Sequence, residues 1–132
     1  MNNKIPKEFK KFGLFTDIHF GRRANSRIHN QDCIDFIDWF CSQVKGKDYS
    51  HLCFLGDWFE SRSAINIETL EYSYDALKKL NDLGIPLYFC VGNHDLHRRT
   101  TRDVHSVRMF NELTNITVID KPTVIDNILF SP

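Results

Sequence analysis

Three short motifs carry the residues able to do chemistry: Asp17-x-His19, Gly56-Asp57 and Gly92-Asn93-His94-Asp95, each standing at the end of a short apolar run. Asp, His and Asn are hard and borderline ligands for divalent cations, and a pair of such ions can clamp both the attacking and the leaving oxygen of a phosphate ester. Asp17 and His19 are two residues apart, so just beyond a strand both can point to one side and serve a single ion. Asp57 follows a glycine that lets the backbone turn sharply, and its two oxygens can bridge cations held ~3.5 to 4 Å apart. Asn93 offers a neutral oxygen ligand, and His94 a proton donor or a stabiliser of charge. Alone, Asp-x-His is commonly a cap and Gly-Asp a common turn. Three motifs in order point to phosphate-ester hydrolysis.

Such motifs need strands to present them. Phe12 to Thr16 reads as a buried strand, Ser50 to Leu55 as a second, and Ile85 to Val91 as a third with Pro86 near its start. Between them, residues 30 to 45 place Cys33, Ile34, Ile37, Phe40, Cys41 and Val44 at helical spacing, with Asn30 as the expected cap. Asn66 to Leu83 carries Ile67, Leu70, Tyr74, Leu77 and Leu80 on one stripe, closed by Gly84. Strands alternating with helices imply crossovers and a mostly parallel sheet, whose ligands gather beyond the carboxyl ends of the strands. A helix over Val104 to Leu113, a strand over Ile116 to Ile119 and a hairpin about Asp126-Asn127 complete the expected order.

At 132 residues, with 42% hydrophobic and 26% charged residues and eleven Phe, the chain suits a single globular domain or part of one. Its formal net charge is zero, so no overall basic excess announces nucleic acid. Any DNA must be held by bound cations and local Arg clusters. Cys33, Cys41, Cys53 and Cys90 follow no metal-binding spacing and read as reduced, buried thiols. No stretch approaches the roughly 18 apolar residues of a membrane span, and no apolar leader opens the chain, so a cytoplasmic location without membrane partners is expected. Lys4, Lys7, Lys10 and Lys11 read as a solvated face.

The resemblance that these motifs carry is specific. Thr-Asp-Ile-His-Phe-Gly at 16 to 21, Gly-Asp-Trp-Phe-Glu-Ser-Arg at 56 to 62, Gly-Asn-His-Asp-Leu-His at 92 to 97 and Asp-Lys-Pro-Thr-Val-Ile-Asp at 120 to 126 resemble the calcineurin-like metallophosphoesterases. Within them the chain is most similar to the nuclease subunits of SbcCD-type double-strand-break repair enzymes, including the recombination endonuclease subunits of T-even-like bacteriophages. The resemblance implies an α/β fold, the N-terminal half of an αββα sandwich. It also implies that Asp17 and His19 hold one ion, that Asp57 bridges, that Asn93 holds the second, that His94 assists the leaving oxygen and that Asp95 orients His94. Two divalent ions, Mn2+ ahead of Mg2+, are the implied cofactors. DNA, a second copy of the subunit and an SMC-like ATPase are the implied partners. The Val-Asp-Arg-Gly run of protein Ser/Thr phosphatases is absent, which favours a nuclease.

The family pattern continues with a lone His and a Gly-His-x-His, and neither is present here. The chain is therefore expected to be a partial domain over 1–132, weakly active or inactive alone, with one sheet face short of its covering layer. A phosphomonoesterase of the same superfamily is the enzyme alternative. A noncatalytic assembly module that needs a complementary fragment is the alternative from another class. His105 falls in the expected helix, and His29 and His51 read as surface and strand residues rather than ligands. His97, Arg98, Arg99 and Arg102 follow the third motif, and Arg22, Arg23 and Arg27 the first, where they could grip phosphates or simply form a solvated face. Of these His97, Arg98 and Arg22 are the chosen substrate contacts. Phe36, Trp39 and Phe40 read as core, and Trp58 and Phe59 as the rim of the site.

Overall fold

The computed structural model describes residues 10–60, 65–92, 96–98, 101–105 and 113–132, and of 96–98 and 101–105 the backbone alone. Four parallel strands form the central sheet: β1 (Phe12–Phe15), β2 (His51–Phe54), β3 (Leu87–Cys90) and β6 (Ile116–Ile119), in the order β1-β2-β3-β6. Register is set by pairs such as Leu14 with Cys53, Cys53 with Tyr88 and Phe89 with Val118. β2 and β3 are buried along their whole length, as central parallel strands must be. A short turn, α1 (Arg22–Asn25), leads into α2 (Arg27–Val44), and α3 (Ile67–Asn81) joins β2 to β3.

Both long helices pack on one face of the sheet. Ile37, Phe40 and Val44 of α2 and Ala76, Leu77 and Leu80 of α3 join Phe15, Leu52, Phe54, Leu87 and Phe89 in one core. Against the opposite face, the hairpin of β7 (Thr123–Ile125) and β8 (Ile128–Phe130) brings Phe130 onto a smaller cluster of Cys53, Tyr88, Cys90 and Ile119. Asp126 and Asn127 take φ of 49° and 61°, the double left-handed pair that a two-residue hairpin turn demands.

Several expectations are corrected. Val104 and His105 belong to β5 (Thr101–His105), which pairs antiparallel with β4 (Leu96–Arg98), and not to a helix; residues 106–112 lie outside the described residues. A pairing partner supplied by the preceding strand overrides a local helical pattern. Ser26, not Asn30, caps α2: its hydroxyl accepts from His29 N–H at 3.4 Å, and Asn30 is instead fully buried within the helix. On α3, Asn66 caps as its side chain accepts from Thr69 N–H at 2.8 Å. Ile67 and Tyr74, assigned to the apolar stripe, are exposed. The buried face runs through Thr69, Ser73, Ala76 and Leu80, and Tyr74 is turned about 100° from Ser73. Trp39 is likewise exposed, and Phe36 sits at the margin, while Phe40 alone of that aromatic stripe is buried. No helix among the described residues is long and apolar enough to cross a membrane.

Candidate metal centre

The first two motifs meet because β1 and β2 do not stop pairing where the strands end. Leu55 N–H donates to the Phe15 carbonyl at 3.0 Å, Asp17 N–H to that of Gly56 at 3.0 Å, His19 N–H to that of Asp57 at 3.0 Å, and Phe20 N–H to that of Trp58 at 2.8 Å. Glu60 N–H then donates back to the Phe20 carbonyl at 2.9 Å. Polar and apolar residues divide along this zipped pair of loops. Asp17, His19, Asp57 and Glu60 stand on the outer side, while Ile18, Phe20, Trp58 and Phe59 are buried. Trp58 and Phe59 are therefore corrected from rim to core. The Trp58 ring lies 5.1 Å from Phe20, 5.3 Å from Phe54 and 5.3 Å from Phe89, between centroids, and ties the loops to the helix-side core.

The backbone at the ligands is strained. Asp17, His19 and Asp57 adopt φ of 58°, 57° and 62°, left-handed conformations that cost ~1–3 kcal/mol each in a residue other than glycine. Strain of this kind concentrates where a side chain must be aimed, and here it aims three donors at one place. Glycine permits the closeness: Gly56 has φ 118°, and a Cβ there would lie 2.8 Å from Gly92 Cα. A Cβ on Gly92 would overlap the Asp57 nitrogen and Oδ1.

One ligand atom from each of Asp17, His19 and Asp57 falls within 4.8 Å of the others. His19 Nε2 lies 3.2 Å from Asp17 Oδ1, and His19 Nδ1 lies 3.0 Å from Glu60 Oε1. Thr16 Oγ1 donates to Asp17 Oδ2 at 2.7 Å. Three carboxylates around one imidazole repel one another unless a cation joins them, so this donor set suits a divalent ion of borderline hardness. Glu60 occupies the position from which a carboxylate orients a metal-bound imidazole through its second nitrogen. Sequence reasoning overlooked it, although it lies three residues after Asp57 in the second motif. Asp17 and Asp57 open onto a cleft of about 230 Å³ that Thr16, Gly56, Val91, Gly92, Ser131 and Pro132 also line.

The remaining site expectations fall as follows. Gly92 is placed against Asp57, but Asn93, His94 and Asp95 lie outside the described residues. His97 and Arg98 lie on β4. Arg22 is exposed and shares a separate cleft of about 330 Å³ with Arg23, Ser26, Ile28, His29 and Asp32. His29, read from the sequence as a surface residue, is half-buried, with Nε2 at 2.9 Å from the His19 carbonyl oxygen. His51 begins β2 and is fully buried. All four cysteines are free. Burial pushes the Cys33 and Cys53 thiols up to about 12 and those of Cys41 and Cys90 up to about 11, so they are protonated near neutrality and poor metal ligands.

Exonuclease subunit 1 of Enterobacteria phage T4 is 32% identical over 111 residues, which are 83% of this chain and 33% of that protein. The chain thus spans about a third of the length of the curated relative it matches. The crystal structure of Pseudomonas putida nuclease MPE superposes with a TM-score of 0.54 at 22% identity, over 86% of this chain and 49% of that one. At that identity the likeness is one of fold, an α/β architecture with a parallel sheet flanked by helices. The model of the family described as calcineurin-like phosphoesterase matches residues 10–131. A match of that extent, with the first two motifs converging at the strand ends, shows that the chain belongs to the calcineurin-like phosphoesterase family.

Proposed function

We propose that this chain supplies the first half of a two-metal phosphodiesterase centre and acts as a DNA nuclease subunit. The observation that carries the reading is the convergence of Asp17, His19 and Asp57 donor atoms within 4.8 Å at the carboxyl ends of adjacent parallel strands. Asp17 and His19 would hold one ion, Asp57 would bridge, and Asn93 would hold the second, with Mn2+ favoured. When bound, a pair of divalent ions lowers the pKa of water and stabilises charge on phosphoryl oxygens. His94 would then meet the leaving oxygen, with Asp95 orienting its ring. Glu60 would keep His19 Nε2 turned toward the ion.

Support for a nuclease over a phosphomonoesterase comes from what the relatives are, an exonuclease subunit and a nuclease. The word subunit in the first supports partner proteins, and we assign an SMC-like ATPase and a second copy of the chain to that role. Exonuclease and endonuclease action in phage recombination and repair, in a reducing cytoplasm that suits four free cysteines, completes the reading. The chain alone should be weakly active or inactive, because three ligands for one ion and two for the other, sharing Asp57, would hold the ions loosely.

Manganese calorimetry tests the centre first. Wild-type chain should bind Mn2+ specifically, and Asp57→Asn should weaken binding more than any other single ligand change. Plasmid DNA and a chromogenic phosphate monoester, offered in parallel, then separate the activities. Turnover of the monoester with intact plasmid would assign a phosphomonoesterase. Retained ATPase or DNA binding without any Mn2+ uptake would favour the noncatalytic assembly module.

A further inference from the structure

The loop that carries His19 is held from behind by the first turns of α2. His29 Nε2 donates to the His19 carbonyl at 2.9 Å, Asn30 Oδ1 accepts from Gly21 N–H at 2.9 Å, and Cys33 Sγ donates to the Ile18 carbonyl at 3.3 Å. Three side chains at i, i+1 and i+4 of one helix thus grip three backbone groups within Ile18 to Gly21. Asn30 continues the chain of contacts: its Nδ2 donates to Thr69 Oγ1 on α3 at 2.9 Å, and Thr69 Oγ1 donates to Asn25 Oδ1 at 2.9 Å. Asn30 and Thr69 are both fully buried.

This network encloses the most contorted stretch among the described residues. Asp17, His19, Arg23, Ala24 and Asn25 all take left-handed φ within nine residues, and Gly21 has φ 91°. A Cβ on Gly21 would lie 3.0 Å from Asn25 Oδ1 and 3.2 Å from Thr69 Cγ2, so the turn fits closely against both residues. Local propensity opposes such a path, and only tertiary contacts can impose it. A buried polar network holds one arrangement because any shift leaves a donor or acceptor unpaired away from water.

We infer that Asn30, acting with Thr69, is a positioning residue for the metal centre: it locks the Gly21–Asn25 turn onto α2 and α3 and thereby sets where the His19 imidazole stands. The inference rests on the reading that Asp17, His19 and Asp57 bind a divalent ion. It differs from a purely structural role in one respect. Structural cement between α2 and α3 would protect stability, whereas a positioning residue controls metal affinity beyond its share of stability.

The test compares Asn30→Ala, Thr69→Val, Thr69→Ser and the remote core variant Leu77→Ala by Mn2+ calorimetry, thermal melting and hydrogen exchange at the Gly21 amide without metal. Asn30→Ala and Thr69→Val should weaken Mn2+ binding about ten- to hundredfold, the usual effect of removing support behind a metal ligand. Thr69→Ser, which keeps the hydroxyl, should retain wild-type affinity. Leu77→Ala should melt earlier yet bind Mn2+ as the wild type does. In the metal-free protein, Gly21 exchange should accelerate in Asn30→Ala and not in Leu77→Ala. Should Asn30→Ala fail to fold, the Thr69→Val and Thr69→Ser pair decides alone. Wild-type affinity in Thr69→Val, or equal loss in Leu77→Ala, overturns this inference while leaving the metal reading intact. A wild-type chain that takes up no Mn2+ overturns the metal reading and the inference with it.

Discussion

On the helix side of the sheet, Leu52, Phe54 and Leu87 are sealed beneath α2 and α3, whereas on the other side Phe12, Leu14 and Leu55 are 42%, 52% and 49% exposed. The helix side is sealed over β2 and β3, with Val118 of β6 half-buried at its margin. Among the described residues, the hairpin covers the other side where Phe130 packs on Cys53, Tyr88, Cys90 and Ile119, and beside it lies an apolar cleft of about 390 Å³ reaching Phe12, Leu14 and Leu55. Leu55, Ser131 and Pro132 line both this cleft and the one at the ligands. The candidate metal centre therefore has one wall in the helix-side core and one at the margin of the open face. Asp17, His19 and Asp57 all come from loops anchored to the helix side, through Ile18, Phe20, Trp58 and Phe59.

The comparison predicts sharply unequal mutational costs. Phe54→Ala removes a fully buried ring that touches Phe15, Trp58 and Phe89, and should cost ~3–5 kcal/mol in urea denaturation. Leu14→Ser, on the open face, should change stability by no more than about 0.5 kcal/mol. A Leu14→Ser cost near that of Phe54→Ala would show that the open face is covered in solution, and the contrast would fail.

Next in size is an effect at the seam between the two sides. Gly92→Ala places a methyl group onto the Asp57 nitrogen and Oδ1, with Gly56 backbone behind it. Backbone atoms cannot swing away as a flexible side chain can, so the loops must part. We expect ~1–3 kcal/mol of destabilisation, together with weaker Mn2+ uptake as Asp57 is displaced. Paired melting and calorimetry check both. Undiminished uptake would show that Asp57 does not need the close contact of these two loops.

Much of this contrast was legible in the sequence. Apolar runs ending in Gly or Asp mark β1, β2 and β3, since a buried parallel strand must be apolar throughout and its exit must turn; β2 and β3 are buried as expected, but β1, read as buried, exposes Phe12 and Leu14 because it lies at the edge of the sheet. The Asp126-Asn127 hairpin was legible for a similar reason, since few residue types tolerate that turn. What escaped depends on partners distant in the chain. Val104 and His105 form a strand because β4 pairs with them, and Asn30 is no cap because Gly21 and Thr69 satisfy its amide inside the core. Trp39 and Ile67 fit an apolar pattern but face away from the sheet, since periodicity fixes a stripe more loosely than a packed neighbour does. Asp17, His19 and Asp57 were singled out as candidates from residue type and order, and the strand ends bring their donor atoms within 4.8 Å of one another. Glu60 and His29 were not, because a residue that supports a ligand carries no spacing rule of its own.

A smaller, pH-dependent effect separates the faces again. Burial raises the Cys53 and Cys90 thiols on the open side, and that of Cys33 on the helix side, above their ordinary value of 9.0. A thiol whose pKa is higher in the folded chain stabilises it fully below about pH 9. That contribution is lost as pH rises toward about 11 for Cys90 and about 12 for Cys33 and Cys53. Urea midpoints measured from pH 8 upward should therefore fall, and Cys53→Ala should shallow the fall. An unchanged slope in that variant would mean that the Cys53 environment is wetter than its burial implies.

The smallest effect belongs to the charged pairs that bridge α2 and α3. Lys79 Nζ lies 2.7 Å from Asp38 Oδ1, a contact shorter than the 2.9 Å between Asn30 Nδ2 and Thr69 Oγ1 across the same two helices. Distance alone would rank the ion pair first. Exposure reverses the order, because the Lys79 and Asp38 side chains are 43% and 52% exposed and exchange one set of water contacts for another at little gain. Lys79→Ala should cost no more than about 0.5 kcal/mol, and the difference from wild type should shrink in high salt as the charges are screened. A larger, salt-resistant loss would mean that the helices are joined by charge at their surface. The expected outcome leaves that task to Leu77, Leu80 and Ile37 in the core and to the buried Asn30–Thr69 contact, and of these only the Asn30–Thr69 contact also holds the loop of His19.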